Sequence, residues 1–172
     1  MKKAGRIVIM GTAGLGDGNV TPVAEFNIWQ DAEAAKIVTE SGLDNIIFVG
    51  WDACLGDCML NPKEIKEIRE SGKLGKFAID CNKNLLEMNR ERFGDDYLDM
   101  ADPSAMSAAL YPECIEKCEK YYCEVDVSAG PSYGAVLVDV NNVTGKEPNV
   151  YICSKLYADK YKEYIYRTLK VK

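Results

Sequence analysis

Four apolar residues, Ile7, Val8, Ile9 and Met10, stop abruptly at Gly11, and glycine returns at Gly14, Gly16 and Gly18. A short unbroken apolar run ended by glycine reads as a strand buried on both faces, the kind found in a parallel sheet. Parallel strands need a crossover, and the next residues supply one. Asp31 is placed to cap a helix over 31–41, with Ala34, Ala35, Ile37 and Val38 on its apolar face and Ser41-Gly42 ending it. A second apolar run, Ile46, Ile47, Phe48 and Val49, follows. Strand, helix, strand in this order is a parallel βαβ unit. Open α/β sheets bind ligands beyond the carboxyl ends of such strands, which directs attention to the segment after Met10.

The remaining chain continues the α/β pattern. Pro62 opens a helix over 62–70, and a longer helix over 75–93 carries Phe77, Ile79, Leu85, Leu86 and Met88 before Gly94-Asp95-Asp96 breaks it. Asp102-Pro103 begins another helix that runs to Leu110. Strands are expected over 121–127, 133–140 and 150–154, and a closing helix over 157–169. No repeat, low-complexity segment or linker interrupts the sequence. Residues 1–172 therefore read as a single domain of α/β class, with a mostly parallel Rossmann-like sheet and flanking helices.

Composition removes several function classes. The net charge is −6 and the basic residues are scattered, which argues against nucleic acid as a partner. No apolar run approaches the roughly 18 residues needed to span a bilayer. The basic start, 1–6, is followed by only four apolar residues, too few for a signal-peptide core, so a cytoplasmic protein is expected. Seven cysteines, an odd number, read as free thiols rather than a disulfide framework. Cys54 and Cys58, and Cys114, Cys118 and Cys123, lack the C-x-x-C spacing of zinc sites. Cys114 and Cys118 are spaced as one helical turn. The chain has no histidine, so it offers no imidazole for catalysis or metal binding.

The glycine loop does not follow the G-x-G-x-x-G dinucleotide fingerprint, and no G-K-[ST] marks a P-loop. Polar residues follow it instead: Asn19, Glu25 and Asn27. The last two are set among Val23, Ala24, Phe26 and Ile28, an arrangement that buries polar groups in part. Buried polar groups need partners, either nearby backbone or a polar ligand.

Met10-Gly11, Gly18-Asn19-Val20-Thr21-Pro22, Ala24-Glu25-Phe26-Asn27 and Asp31-x-Glu33-Ala34-Ala35, in this order and spacing, resemble the central signature of the inosine/uridine-preferring nucleoside hydrolases. The resemblance implies hydrolysis of the N-glycosidic bond of a ribonucleoside, with a bound calcium ion. It implies that Asn19, Glu25 and Asn27 bind ribose hydroxyls, and that Asp102 both ligates the metal and touches the ribose. Asp52 matches an aspartate of the family, although Trp51 and Cys54 depart from its leucine-aspartate-x-threonine pattern. Residues 61–95 match loosely.

Two departures bear on activity. The family's aspartate-rich motif, D-x-D-x-G-x-D-D, is absent, and with it the other calcium carboxylates and the general base. Ala101 stands where many members have a histidine that assists the departing base. No catalytic residue is therefore assigned, and calcium is expected to bind this chain weakly or not at all. Asp17, Asp95, Asp96 and Asp99 follow no ligand pattern and read as solvated.

The expectation is an incomplete nucleoside hydrolase fold, a fragment or split subunit with little activity alone. Its partners would be a ribonucleoside substrate, a complementing N-terminal chain and further copies of itself in a homo-oligomer. The alternative is a non-catalytic ribose-binding or interaction subunit. In either case strand 7–10 would lie at an exposed sheet edge.

Overall fold

The structure is a computed structural model that describes residues 5–171. The basic residues 1–4, on which part of the export reading rests, lie outside the described residues. Strand β1 (Ile7–Met10) pairs in parallel with β2 (Ile46–Val49), Ile7 opposite Ile46 and Met10 opposite Val49. Between them run a short helix α1 (Phe26–Gln30) and α2 (Ala32–Thr39), so the βαβ unit forms as expected. Asp31 caps α2 through the Ala34 amide at 2.9 Å. The α1 turn lies in the segment read only as polar residues among apolar ones.

Helices α3 (Pro62–Glu70), α4 (Lys73–Asp80), α5 (Lys83–Phe93) and α6 (Ala101–Leu110) follow. The single helix expected over 75–93 is thus two. It breaks at Cys81-Asn82, where the Asn82 side chain turns back to donate to the Ala78 carbonyl at 2.8 Å. That bond satisfies one of the carbonyls left open at the end of α4.

Strand β3 (Ile115–Tyr121) lies where the spacing of Cys114 and Cys118 suggested a helical turn. The reason is a bulge. Register shifts on either side of Lys117 leave Ile115, Cys118 and Tyr121 half-buried at intervals of three, a period that imitates a helix. Tyr122 then ends that strand. Strand β4 (Cys123–Val125) belongs to a separate two-stranded antiparallel sheet with β5 (Val136–Val138), so the single strand expected over 121–127 is divided between two sheets. Strand β6 (Val150–Leu156) and helix α7 (Ala158–Leu169) close the chain.

The main sheet has the order β1-β2-β6-β3, parallel except for the antiparallel β3. Alternation along its strands feeds two apolar clusters, one on each face. Val8, Met10, Ile47, Val49 and Cys153 face a cluster with Ile68, Tyr161 and Ile165 from the later helices and Leu98 from the segment before α6. Ile9, Ile46, Phe48, Val150 and Ile152 face Ile28, Ala32, Cys123 and Val125. Among the described residues β1 is an edge strand, as expected, and all four of its residues are only half-buried. Among the described residues no helix is long and apolar enough to cross a membrane.

Tyr161 links the core to the start of α6. Its ring is fully buried, and its hydroxyl donates to the Met100 carbonyl at 3.0 Å. Tyr161→Phe removes that donor and leaves the Met100 carbonyl with the Ser104 amide alone. The expected cost is about 1 kcal/mol, read as a lower urea midpoint with an unchanged denaturant slope.

Candidate functional site

The parallel strands β1 and β2 end side by side at Met10 and Val49. Beyond them lies a cleft of about 300 Å³. Asn19, Glu25, Asn27 and Asp102 all line it, together with Met10, Trp51, Ala101 and others. Asp102 arrives from the first turn of α6, far from the other three in sequence. It does not cap that helix, since Met100 holds the cap position.

Glu25 caps α1. One carboxylate oxygen accepts from the Asn27 amide at 2.9 Å and the other from the Ile28 amide at 3.3 Å. Asn19 Oδ1 accepts from the Phe26 amide at 2.8 Å. Two side chains thus fill the first three N–H groups of α1, which a helix cannot satisfy for itself. Asn19 does not adopt the left-handed backbone that a loop asparagine often takes.

Only 2% of Glu25 is exposed. Burial pushes its carboxyl above the usual range, opposed by the amides of Asn27, Ile28 and Thr12 and reinforced by the negative charge of Asp102. Asn27 Nδ2 points to Met10, 3.0 Å from Sδ and 3.5 Å from the carbonyl.

These bonds decide what each group can offer a ligand. Asn19 accepts locally, so its amide NH₂ is its remaining handle. Asn27 donates locally, so its carbonyl oxygen remains. Glu25 and Asp102 add carboxylate lone pairs. One donor and three acceptors around a small cleft suit a polyhydroxyl ligand, whose O–H groups both donate and accept.

A second cavity of about 640 Å³ adjoins the cleft and shares Asn19, Phe26, Trp51, Leu85 and Asp99 with it. Met88 and Arg92 of α5 line its far side, and the Arg92 guanidinium stacks over the Trp51 ring at 4.6 Å. Asp99, expected in solvent, is instead buried and forms the floor between the two. It accepts from the Trp51 indole N–H at 2.9 Å and from Asn89 Nδ2 at 2.5 Å. Spacing could not reveal it, because its partners lie on β2's following turn and on α5. The coincidence of a buried-type tryptophan with an aspartate just before Asp102 was the available signal.

Within the glycine loop Gly14, together with Gly50 after β2, closes on the Asp52 carboxylate, and a Cβ on either would overlap it.

A profile described as inosine-uridine preferring nucleoside hydrolase matches residues 1–163. The chain is 34% identical over 153 residues to a pyrimidine-specific ribonucleoside hydrolase of Escherichia coli strain K12 / DH10B, covering 88% of this chain and 48% of that protein. It thus spans about half the length of the curated relatives of this kind. Two solved structures are similar. A plant nucleoside hydrolase superimposes with a TM-score of 0.86 at 25% identity, over 99% of this chain and 55% of its own. A purine-preferring ribonucleoside hydrolase from Gardnerella vaginalis superimposes with a TM-score of 0.81 at 28% identity, over 97% of this chain and 52% of its own.

Asp99→Ala strands the Trp51 indole N–H in the floor of the cleft and leaves Asn89 Nδ2 with the Tyr97 carbonyl alone. The expected loss is about 1–3 kcal/mol of unfolding free energy, the cost of one buried donor left unpaired. The same variant should move the tryptophan emission maximum in the folded state. An unmoved spectrum with full stability would mean that the indole does not depend on this carboxylate.

Proposed function

The chain belongs to the inosine-uridine preferring nucleoside hydrolase family, and on that premise we propose that its cleft holds the ribose of a ribonucleoside whose N-glycosidic bond is cleaved. The observation that carries this reading is the convergence of Asn19, Glu25, Asn27 and Asp102 on one small cleft. Their remaining hydrogen-bonding groups match a vicinal diol. The adjoining cavity supports a place for the base, since the exposed Phe26 ring lines it.

Calcium is tested by its donors. It takes six to eight oxygen ligands. The cleft contributes three carboxylates, of which Glu25 is already committed to backbone amides and Asp99 to Trp51 and Asn89. Among the described residues no cluster of three or more acidic or thiol side chains forms. This donor set does not fit the ion by itself. Asp102 is assigned as one ligand of a site that needs further carboxylates, supplied by a complementing polypeptide with the aspartate-rich motif.

Among the described residues the outer edge of β1 has no strand partner, and such a polypeptide would dock there. In a parallel pair alternate residues face the partner. The Ile7 and Gly11 amides donate to β2's side, so the polar groups of Val8 and Met10 face outward. A strand added there in parallel would end beside Met10, at the cleft. Self-association through the same edge is a competing use, which supports an oligomer. All seven cysteines are free thiols, in keeping with a reducing, cytoplasmic setting.

The chain alone is expected to give little turnover. Hydroxyl contacts hold ground state and transition state about equally, and uniform binding does not raise kcat. A missing general base alone removes about 10²- to 10⁴-fold. The check is inosine and uridine hydrolysis in calcium, with the chain alone and mixed with a polypeptide carrying the motif. Activity should appear only in the mixture and fall with Asn27→Ala or Asp102→Ala. Robust hydrolysis by the chain alone would show a complete site within these residues.

A further inference from the structure

Asp52 is a carboxylate held under unusual constraint next to the cleft. It lies in the tight turn Trp51–Cys54 that follows β2. Gly14, which is left-handed at φ +77°, and Gly50 enclose it so closely that neither could carry a Cβ. One oxygen, Oδ2, accepts from the Leu15 amide at 2.9 Å, while Oδ1 is buried with no partner. An unpaired buried carboxylate oxygen costs stability, and a neutral residue of the same shape would avoid that cost.

What Asp52 holds is the turn that begins at Thr12. Thr12 is buried, and it is left-handed at φ 74°, a strained conformation for a β-branched residue. Its carbonyl accepts the Trp51 amide at 2.9 Å and its hydroxyl accepts the Gly14 amide at 3.3 Å. Its own amide helps hold the Glu25 charge. Thr12 is thus tied to Glu25 on one side and, through Gly14 and Leu15, to Asp52 on the other. Farther along the same loop stands Asn19.

We propose that Asp52 is a positioning residue: by holding the Leu15 amide it fixes the strained 12–15 turn, and through it the Thr12 amide that faces Glu25 and the approach of the chain to Asn19. The purpose of this device rests on the ribose reading of the cleft, but its test does not.

Burial pushes the Asp52 carboxyl up to about 6, against the opposing amides of Leu15 and Ala53. The titratable group that senses its charge is Cys54 on its own turn. Among the described residues no cation pairs with it. A carboxyl raised in the folded state stabilises fully below its unfolded value, and that contribution is lost as pH rises through the folded value. Ionised Asp52 therefore weakens the fold at neutral pH while it fixes the turn. Asp52→Asn keeps an acceptor for Leu15 and removes the charge.

The experiment is amide NMR of the full chain between pH 4 and 8, with Asp52→Asn, Asp52→Ala and Glu25→Gln alongside. In the wild type, Leu15 and Thr12 should shift together with a midpoint near pH 6. In Asp52→Asn that inflection should vanish, while Thr12 and Asn19 keep their neutral-pH positions and Tm rises at pH 8 but not at pH 4. Asp52→Ala should displace both signals. Glu25→Gln removes any part of the Thr12 response that belongs to Glu25. Leu15 titrating while Thr12 stays still, or Asp52→Ala leaving Thr12 and Asn19 in place, overturns the proposal. Should Asp52→Ala not fold, the wild type and Asp52→Asn decide. Inosine binding unchanged by Glu25→Gln and Asp102→Ala would overturn the ribose reading and leave these shifts as they are.

Discussion

The site depends on how the first turn of α1 is satisfied. A five-residue helix cannot stabilise itself, because nucleating it costs more than its few bonds return. Here the Phe26, Asn27 and Ile28 amides are taken by Asn19 and Glu25. The same bonds orient the side chains that line the cleft. The helix therefore exists because Asn19 and Glu25 cap it, and they are aimed because the helix exists. Ile28, buried in the second apolar cluster, anchors the far end.

This arrangement sets two carboxylates, Glu25 and Asp52, into the junction where β1 and β2 end. Both are pushed above the ordinary range by burial, and backbone amides rather than cations oppose the push. A fold selected for stability alone would place neutral groups there. Carboxylates retained at such cost cluster where charge or lone pairs are used. Asp99 differs: both its oxygens are bonded, and it joins the turn after β2 to α5 as part of the floor. The salt bridge of Lys83 with Glu87 lies on an exposed helix face and contributes little.

Much of this was legible in the sequence, because its signals were local. The apolar runs at 7–10 and 46–49, the Asp31 cap, Pro62 at a helix start and the glycine at 94 act within a few residues, and each formed where it was read. The grouping of Asn19, Glu25, Asn27 and Asp102 was legible only through resemblance, since no spacing rule brings α6 to the end of β1. What could not be read depended on pairing across the chain. The bulge at Lys117 gave a strand a helical period. Asp99 is buried by partners on two other elements, and Gly14 makes room for Asp52, which lies beyond the second strand.

The cleft is polar on the side built by this chain and adjoins a sheet edge on the other. Its acceptors suit a diol, yet Glu25 could withdraw a proton from water only by surrendering bonds that α1 needs. Glu25 is the nearest candidate, but both its oxygens already serve helix amides, and releasing them would uncap the helix that aims Asn27. Asp102 is not tied in that way, and its negative charge bears on Glu25. A positive charge placed between them would relieve that repulsion. Under the proposed reading, groups that hold one there would reach the cleft past Met10, across the edge of β1, so that sugar recognition and completion of the chemistry would fall on opposite sides of one strand.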